Sequence, residues 1–272
     1  MTTKSALDSN FSGNQSKPWY QRPRVNDVPE GFADLLALTK AVLNTASRHA
    51  PCVLASSLSA EDMVLFHLIV RERLPIHTFA LDTNRLPQAT LTLWLHAEAH
   101  YGRDIERINP APDHLQTLTA TQTNSAIFES KTARELCCTV RKTEPLRRML
   151  ADKTAWVTGL RKAQSAGRTQ LAHQQWDASF GLEKFNPLAD WSDAALWYFI
   201  DHERIPFSAL YDKGYASIGC DPCTRAIRAG EHSRAGRWWW EAAAAASGSA
   251  TECGIHVVAR NASTQQHNKA TV

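Results

Sequence analysis

The chain has 272 residues, a formal net charge of +3 and a charged fraction of 21%. That length suits one large domain with a good core, and the charge is too slight to hold a nucleic acid, so the basic residues can matter only by clustering around a small anion. No apolar run approaches the ~20 residues of a membrane span.

Residues 1–30 are rich in Ser, Asn, Gln and Pro, have no apolar signal-peptide stretch and read as a flexible N-terminal arm in which Trp19 and Tyr20 stand out. A cytoplasmic, reducing setting follows, in which metal binding or catalysis is a better reading of six cysteines than a disulfide framework. Residues 31–241 read as one α/β unit and 242–272 as a C-terminal segment.

Phe32, Leu35, Leu36, Leu38, Val42 and Leu43 share a helical face. Residues 52–55 form a short apolar run of the buried-strand kind, with Cys52 as a small hydrophobe, and it stops at Ser56-Ser57-Leu58-Ser59 before helical periodicity resumes at Ala60. Ser59 and Asp62 give an S-x-x-D capping signal, which predicts a helix N-terminus with free N–H groups for an anion; the plain alternative is a capped helix and nothing more. A second strand over 76–81 exits into Asp82-Thr83, and a helix follows over 86–101. A third strand is expected over 104–108, then a Pro-, Thr- and Gln-rich connection to Asn124. A fourth strand over 154–159 exits into Leu160-Arg161, Arg168 lies in an expected loop, and a helix over 193–202 is capped by Ser192. Strands alternating with helices predict an α/β fold with a largely parallel sheet flanked by helices, and ligands gather where such strands end.

The cysteines fall into two groups. Cys220 and Cys223 have the C-x-x-C spacing of a metal or cluster pair or a redox dithiol, and Cys137-Cys138 is a vicinal pair that few structural needs explain. Cys253 stands apart, with His256 three residues on, and reads as a nucleophile. Four ligands and one nucleophile is the arrangement expected.

Taken together, Cys137-Cys138-x-x-Arg141-Lys142, Ile218-Gly219-Cys220-x-Pro222-Cys223-Thr224-Arg225, Arg234-x-Gly236-Arg237-Trp238-Trp239-Trp240-Glu241 and Glu252-Cys253-Gly254-Ile255-His256 resemble the assimilatory adenylyl-sulfate (APS) reductases of bacteria. Leu81-Asp82-Thr83 and Thr158-Gly159-Leu160-Arg161 match as well, and the likeness runs from about residue 32 to 258. It departs at Asn84, where glycine is expected, and at the glycine-free serine loop.

The resemblance implies an adenine nucleotide α hydrolase-like fold, one [4Fe–4S] cluster on Cys137, Cys138, Cys220 and Cys223, and reduction of APS by thioredoxin to sulfite and AMP. By the same likeness Lys142, Arg234 and Arg237 line the sulfate end and His256 accompanies Cys253. The Cys253 thiolate would attack sulfur, leave an S-sulfocysteine and then meet thioredoxin, which calls for a mobile C-terminal segment. Ser56, Ser57, Ser59, Asp82 and Thr83 are nucleotide candidates by their place at strand ends, and Arg161 and Arg168 are candidates for the α-phosphate or sulfate. A homo-oligomer is carried by the resemblance alone. Other readings are a 3′-phosphoadenylyl-sulfate (PAPS) reductase, an ATP-using tRNA-modifying sulfurtransferase, which would want an S-G-G-x-D-S loop, and a zinc-stabilised binding module without catalysis.

Overall fold

The computed structural model describes residues 18–244. Cys253, His256 and the predicted mobile C-terminal segment lie outside the described residues. Six strands form one sheet in the order β3-β2-β1-β4-β6-β5, from β1 (Cys52–Ser56), β2 (His77–Leu81), β3 (Glu106–Ile108), β4 (Ala155–Val157), β5 (Gln174–Asp177) and β6 (Leu182–Phe185). All neighbours run parallel except β5 against β6.

The two central strands, β1 and β4, are apolar but for Ser56 because both faces are covered, and the period of two divides the strand residues between two cores. Leu54, Ala155, Val157 and Phe185 face one core, shared with α1 (Phe32–Ser47), α2 (Ala60–Arg71), α3 (Gln88–Tyr101) and α8 (Asp193–Glu203). Val53, Phe79 and Trp156 face the other, where Leu146 and Leu150 of α7 (Glu144–Leu150) cover them. Helix α2 is buried on every side from Ala60 to Ile69, so its run of apolar residues shows little amphipathic patterning. Among the described residues no helix is long and apolar enough to cross a membrane.

Two stretches differ from the sequence reading. The connection after β3 contains a helix, α4 (Pro112–Thr121), and the hairpin β5–β6 was not foreseen. The other difference concerns the arm, whose described part is docked on the body. Arg22 is buried, donates two hydrogen bonds to Asp201 and one to Asp212, and its guanidinium lies over the rings of Trp197 and Phe207 at 4.7 and 4.6 Å. Composition alone could not show this, because the partners of Arg22 lie 179 and 190 residues away in sequence.

Candidate active site

The chain leaves β1 toward β2 and β3 on one side, while β4 lies on the other side of β1. This reversal opens a crevice at the carboxyl ends of β1 and β4. The loop after β1 and the loop after β4 form its walls, and they approach so closely that position 159 must be glycine. A Cβ there would stand 2.8 Å from the Glu61 Cβ and 3.3 Å from the Asp62 nitrogen, and closer still to Asp62 Oδ1. The crevice holds a cavity of about 260 Å³. Ser56, Ser57, Ser59, Thr83, Arg161, Arg168, Lys142, Arg234 and Arg237 all line it, so nine predicted residues from six separate stretches converge.

The serine loop is organised differently from the expected capping motif. Ser59 makes no side-chain cap; its hydroxyl and that of Ser57 donate to Asp62 Oδ2 at 3.1 and 2.6 Å, and the Ser57 N–H donates to the same oxygen at 2.7 Å. Ser56 Oγ accepts from Leu58 N, and the Tyr211 hydroxyl accepts from Ala60 N. The protein's own carboxylate therefore takes donors that sequence reasoning left for an anion. Burial pushes the Asp62 carboxyl up to about 6, against the lowering effect of the Ser57 donors.

Two more predicted contacts are engaged within the protein. Arg161 donates to Glu61 at 2.8 Å, to Asp193 at 2.7 Å and to the Trp191 carbonyl at 3.1 Å, so its guanidinium forms the cavity wall. Burial raises the Glu61 carboxyl, but Arg161 overcomes this and holds it below the usual range. Asp82 does not line the cavity; it accepts from Arg107 at 2.6 Å and from the Asn84 N–H at 2.9 Å. Asn84 has φ 55°, a left-handed conformation that glycine or asparagine tolerates best, which explains how asparagine serves where glycine was expected.

The cationic end comes from two elements. Helix α6 (Lys131–Cys138) carries Cys137 and Cys138 and runs on through a π-helical turn, Thr139–Thr143, that carries Lys142. Such a widened turn often marks a functional position; here Arg141 fastens it by donating to the Thr83 carbonyl at 2.8 Å. Cys220 and Cys223 flank a 3₁₀ turn whose Asp221 N–H donates to the Arg85 carbonyl at 2.8 Å, so both cysteine pairs are tied to the exit of β2. Arg237 donates to the Ile218 carbonyl at 3.0 Å and lies so close over Gly219 that a Cβ there would stand 2.9 Å from its Nη1.

Cys137, Cys138, Cys220 and Cys223 line one further cavity together with Arg85, Arg134, Arg141, Lys142, Arg237 and Trp238. Burial pushes the Cys220 thiol up, yet Lys142, the Thr83 hydroxyl and Arg237 overcome it and hold it below its ordinary value. Burial pushes the Cys223 thiol up to about 12. Among the described residues no three His, Cys, Asp or Glu side chains converge on one metal ion. The donor set fits a cluster on other grounds. The Thr83 hydroxyl lies 3.3 Å from Cys220 Sγ, Arg85 donates to Cys137 Sγ at 4.0 Å, and buried N–H groups of Arg141, Arg237 and Trp238 around the cavity have no partner among the described residues. Orphaned donors around four thiols match an anionic sulfur-rich body that accepts from them.

Sequence reasoning missed Tyr20, Glu61, Gln164 and Asp193 as cavity residues and Arg85 beside the cysteines. None carries a local signal; each reaches the site through tertiary packing.

The fold is that of phosphoadenylyl-sulfate reductase from Candida auris in its phosphate complex, with a TM-score of 0.60 at 22% identity, covering 75% of this chain and all of that one. It is also shared with Candida glabrata FMN adenylyltransferase, at a TM-score of 0.51 and 16% identity over 74% of this chain and 69% of that one. In sequence, the chain is 53% identical to adenosine 5′-phosphosulfate reductase of Allochromatium vinosum, over 75% of this chain and 78% of the relative. It is 44% identical to the enzyme of the same name from Burkholderia cepacia, over 85% of this chain and 90% of that one. Residues 51–226, which contain both cysteine pairs and most of the crevice lining, match the phosphoadenosine phosphosulfate reductase domain, and the chain belongs to that family.

Proposed function

We propose that the chain reduces adenylyl sulfate to AMP and sulfite with electrons from a thioredoxin-type dithiol, as part of sulfate assimilation in the cytoplasm. The observation that carries this reading is a shared wall: Lys142, Cys220 and Arg237 line both the 260 Å³ cavity and the cysteine cavity. A cavity large enough for a nucleotide thus ends in cations beside four thiols. The names of the relatives, adenosine 5′-phosphosulfate reductases, select APS as the anion that these cations receive.

Lys142, Arg234 and Arg237 bind the phosphosulfate and lower the repulsion between it and an approaching thiolate. The nucleophile is Cys253, assigned from sequence with His256 beside it. Its thiolate forms a bond to sulfur while the S–O bond to phosphate breaks, and AMP leaves with that electron pair. A dithiol then attacks Cys253 Sγ, sulfite leaves with the S–S electron pair, and the second thiol closes the donor's disulfide, so the donor supplies both electrons. Cys137, Cys138, Cys220 and Cys223 would hold a [4Fe–4S] cluster, which supplies a fixed sulfur-rich charge at the cationic end.

The test is an anaerobic single turnover with radiosulfur-labelled APS and no dithiol, comparing wild type with Cys253→Ser. Label on denatured wild type alone, released as sulfite by thioredoxin, is the expected result. Label on neither protein overturns the covalent mechanism, and turnover of the 3′-phosphorylated substrate alone overturns the choice of APS. Iron and acid-labile sulfide in the purified protein support the cluster; zinc in their place refutes it.

A further inference from the structure

The family match begins at residue 51, yet one cavity wall comes from residue 20. Residues 18–22 form a strap held at both ends. Tyr20 N donates to the Ile227 carbonyl at 2.9 Å and Ala229 N to the Pro18 carbonyl at 2.8 Å, an antiparallel bridge centred on Trp19 and Arg228. The Arg228 guanidinium stands 3.3 Å over the Trp19 ring. Gly214, at φ 87°, makes room for Trp19; a Cβ on it would lie 3.3 Å from the Trp19 Cβ. Two residues after Tyr20, Arg22 is locked by Asp201 and Asp212.

Between these anchors the Tyr20 side chain is half-buried and lines the cavity beside Asp193, Arg161 and Glu61. Those neighbours bond to one another, and the Tyr20 hydroxyl has no hydrogen-bond partner among the described residues. Burial, and then the carboxylates of Asp193 and Glu61, push the phenol above its ordinary value, so it keeps its proton as a neutral donor. A rigidly presented donor with no partner among the described residues, at the wall of a cavity with a cationic far end, fits a ligand oxygen.

We propose that the Tyr20 hydroxyl hydrogen-bonds the bound nucleotide, making the N-terminal strap part of the substrate site. This rests on the reading of the cavity as a nucleotide site. The strap also pairs with residues 227–229, upstream of Arg234 and Arg237 in the same segment, so one short stretch supports the nucleotide wall and steadies the backbone that carries the sulfate-end arginines.

The test is calorimetric titration of the full chain with AMP, for wild type, Tyr20→Phe and Tyr20→Ala, with thermal unfolding of each protein with and without AMP. Loss of one neutral hydrogen bond weakens AMP binding by about three- to tenfold in Tyr20→Phe. Its ligand-free unfolding temperature stays at the wild-type value, its AMP-induced stabilisation shrinks, and Tyr20→Ala binds more weakly still. Tyr20→Phe binding AMP as wild type does overturns the inference, whatever Tyr20→Ala does. A wild-type chain that binds no AMP removes the nucleotide reading of the cavity, and the inference with it.

Discussion

Replacing Gly159 with alanine inserts a methyl group where the loop after β4 meets the start of α2. The new Cβ would sit 2.8 Å from the Glu61 Cβ and 3.3 Å from the Asp62 nitrogen, with Asp62 Oδ1 nearer. None of these atoms can swing away freely. The Glu61 carboxylate is held by Arg161 and Gln164, and Asp62 holds Ser57 and Ser59. Overpacking of this kind costs about 2–3 kcal/mol, which lowers the unfolding temperature of a chain this size by about 4–12 °C. Affinity for AMP falls as well, because the displaced atoms belong to the cavity wall. The control is Gly167→Ala, whose Cβ would meet, among the described residues, only Ser165 Oγ, at 3.6 Å, an ordinary contact. Denaturant unfolding and AMP titration of both variants decide the matter. Gly159→Ala within about 0.5 kcal/mol of wild type would refute the close approach of the two loops.

Arg161→Leu leaves the Glu61 carboxylate buried without its cation, which costs about 3–5 kcal/mol, and adding Glu61→Gln restores much of the loss. Equal destabilisation of the single and double variants in urea would show that the two charges are not coupled. His67 is held down to about 4 by burial, so the unfolded chain binds the extra proton first as the pH drops below about 6.5. Its contribution is therefore lost between about pH 6.5 and 4, at up to about 1.4 kcal/mol per pH unit, and His67→Gln removes that loss in urea unfolding followed across the window. Asp62 acts in the opposite sense, because a folded carboxyl raised to about 6 binds its proton before the unfolded one, so Asp62→Asn steepens the acid loss.

Strands β1, β2 and β4 were legible because both of their faces are buried and their apolar runs stop at polar exits. The hairpin β5–β6 was not, since β5 is a polar edge strand and β6 carries Lys184, which lies over the Trp156 ring at 4.7 Å. Helix α4 was hidden by its threonines, three of which return their hydroxyls to carbonyls four residues back: Thr117 to Asp113, Thr119 to Leu115 and Thr121 to Thr117. Of the site, spacing and resemblance singled out the four cysteines and three of the cations, and the structure gathers them at two adjoining cavities. The roles of Asp62 and Arg161 were not, because a lone acid or arginine in sequence does not show whether a buried partner already holds it. Tyr20 was visible only as an aromatic in an arm. Its role depends on Ile227, a residue more than two hundred positions away.

Because Lys142, Cys220 and Arg237 belong to two cavities at once, the cavities share a thermodynamic account. Whatever fills the cysteine cavity sets where these three side chains rest, and whatever fills the crevice pulls on the same three. Linkage makes such an effect reciprocal: a change in occupancy on one side is read as a change in affinity on the other, by the same factor in both directions. If the proposed cluster fills the cysteine cavity, its oxidative loss is read as a loss of anion affinity in the crevice.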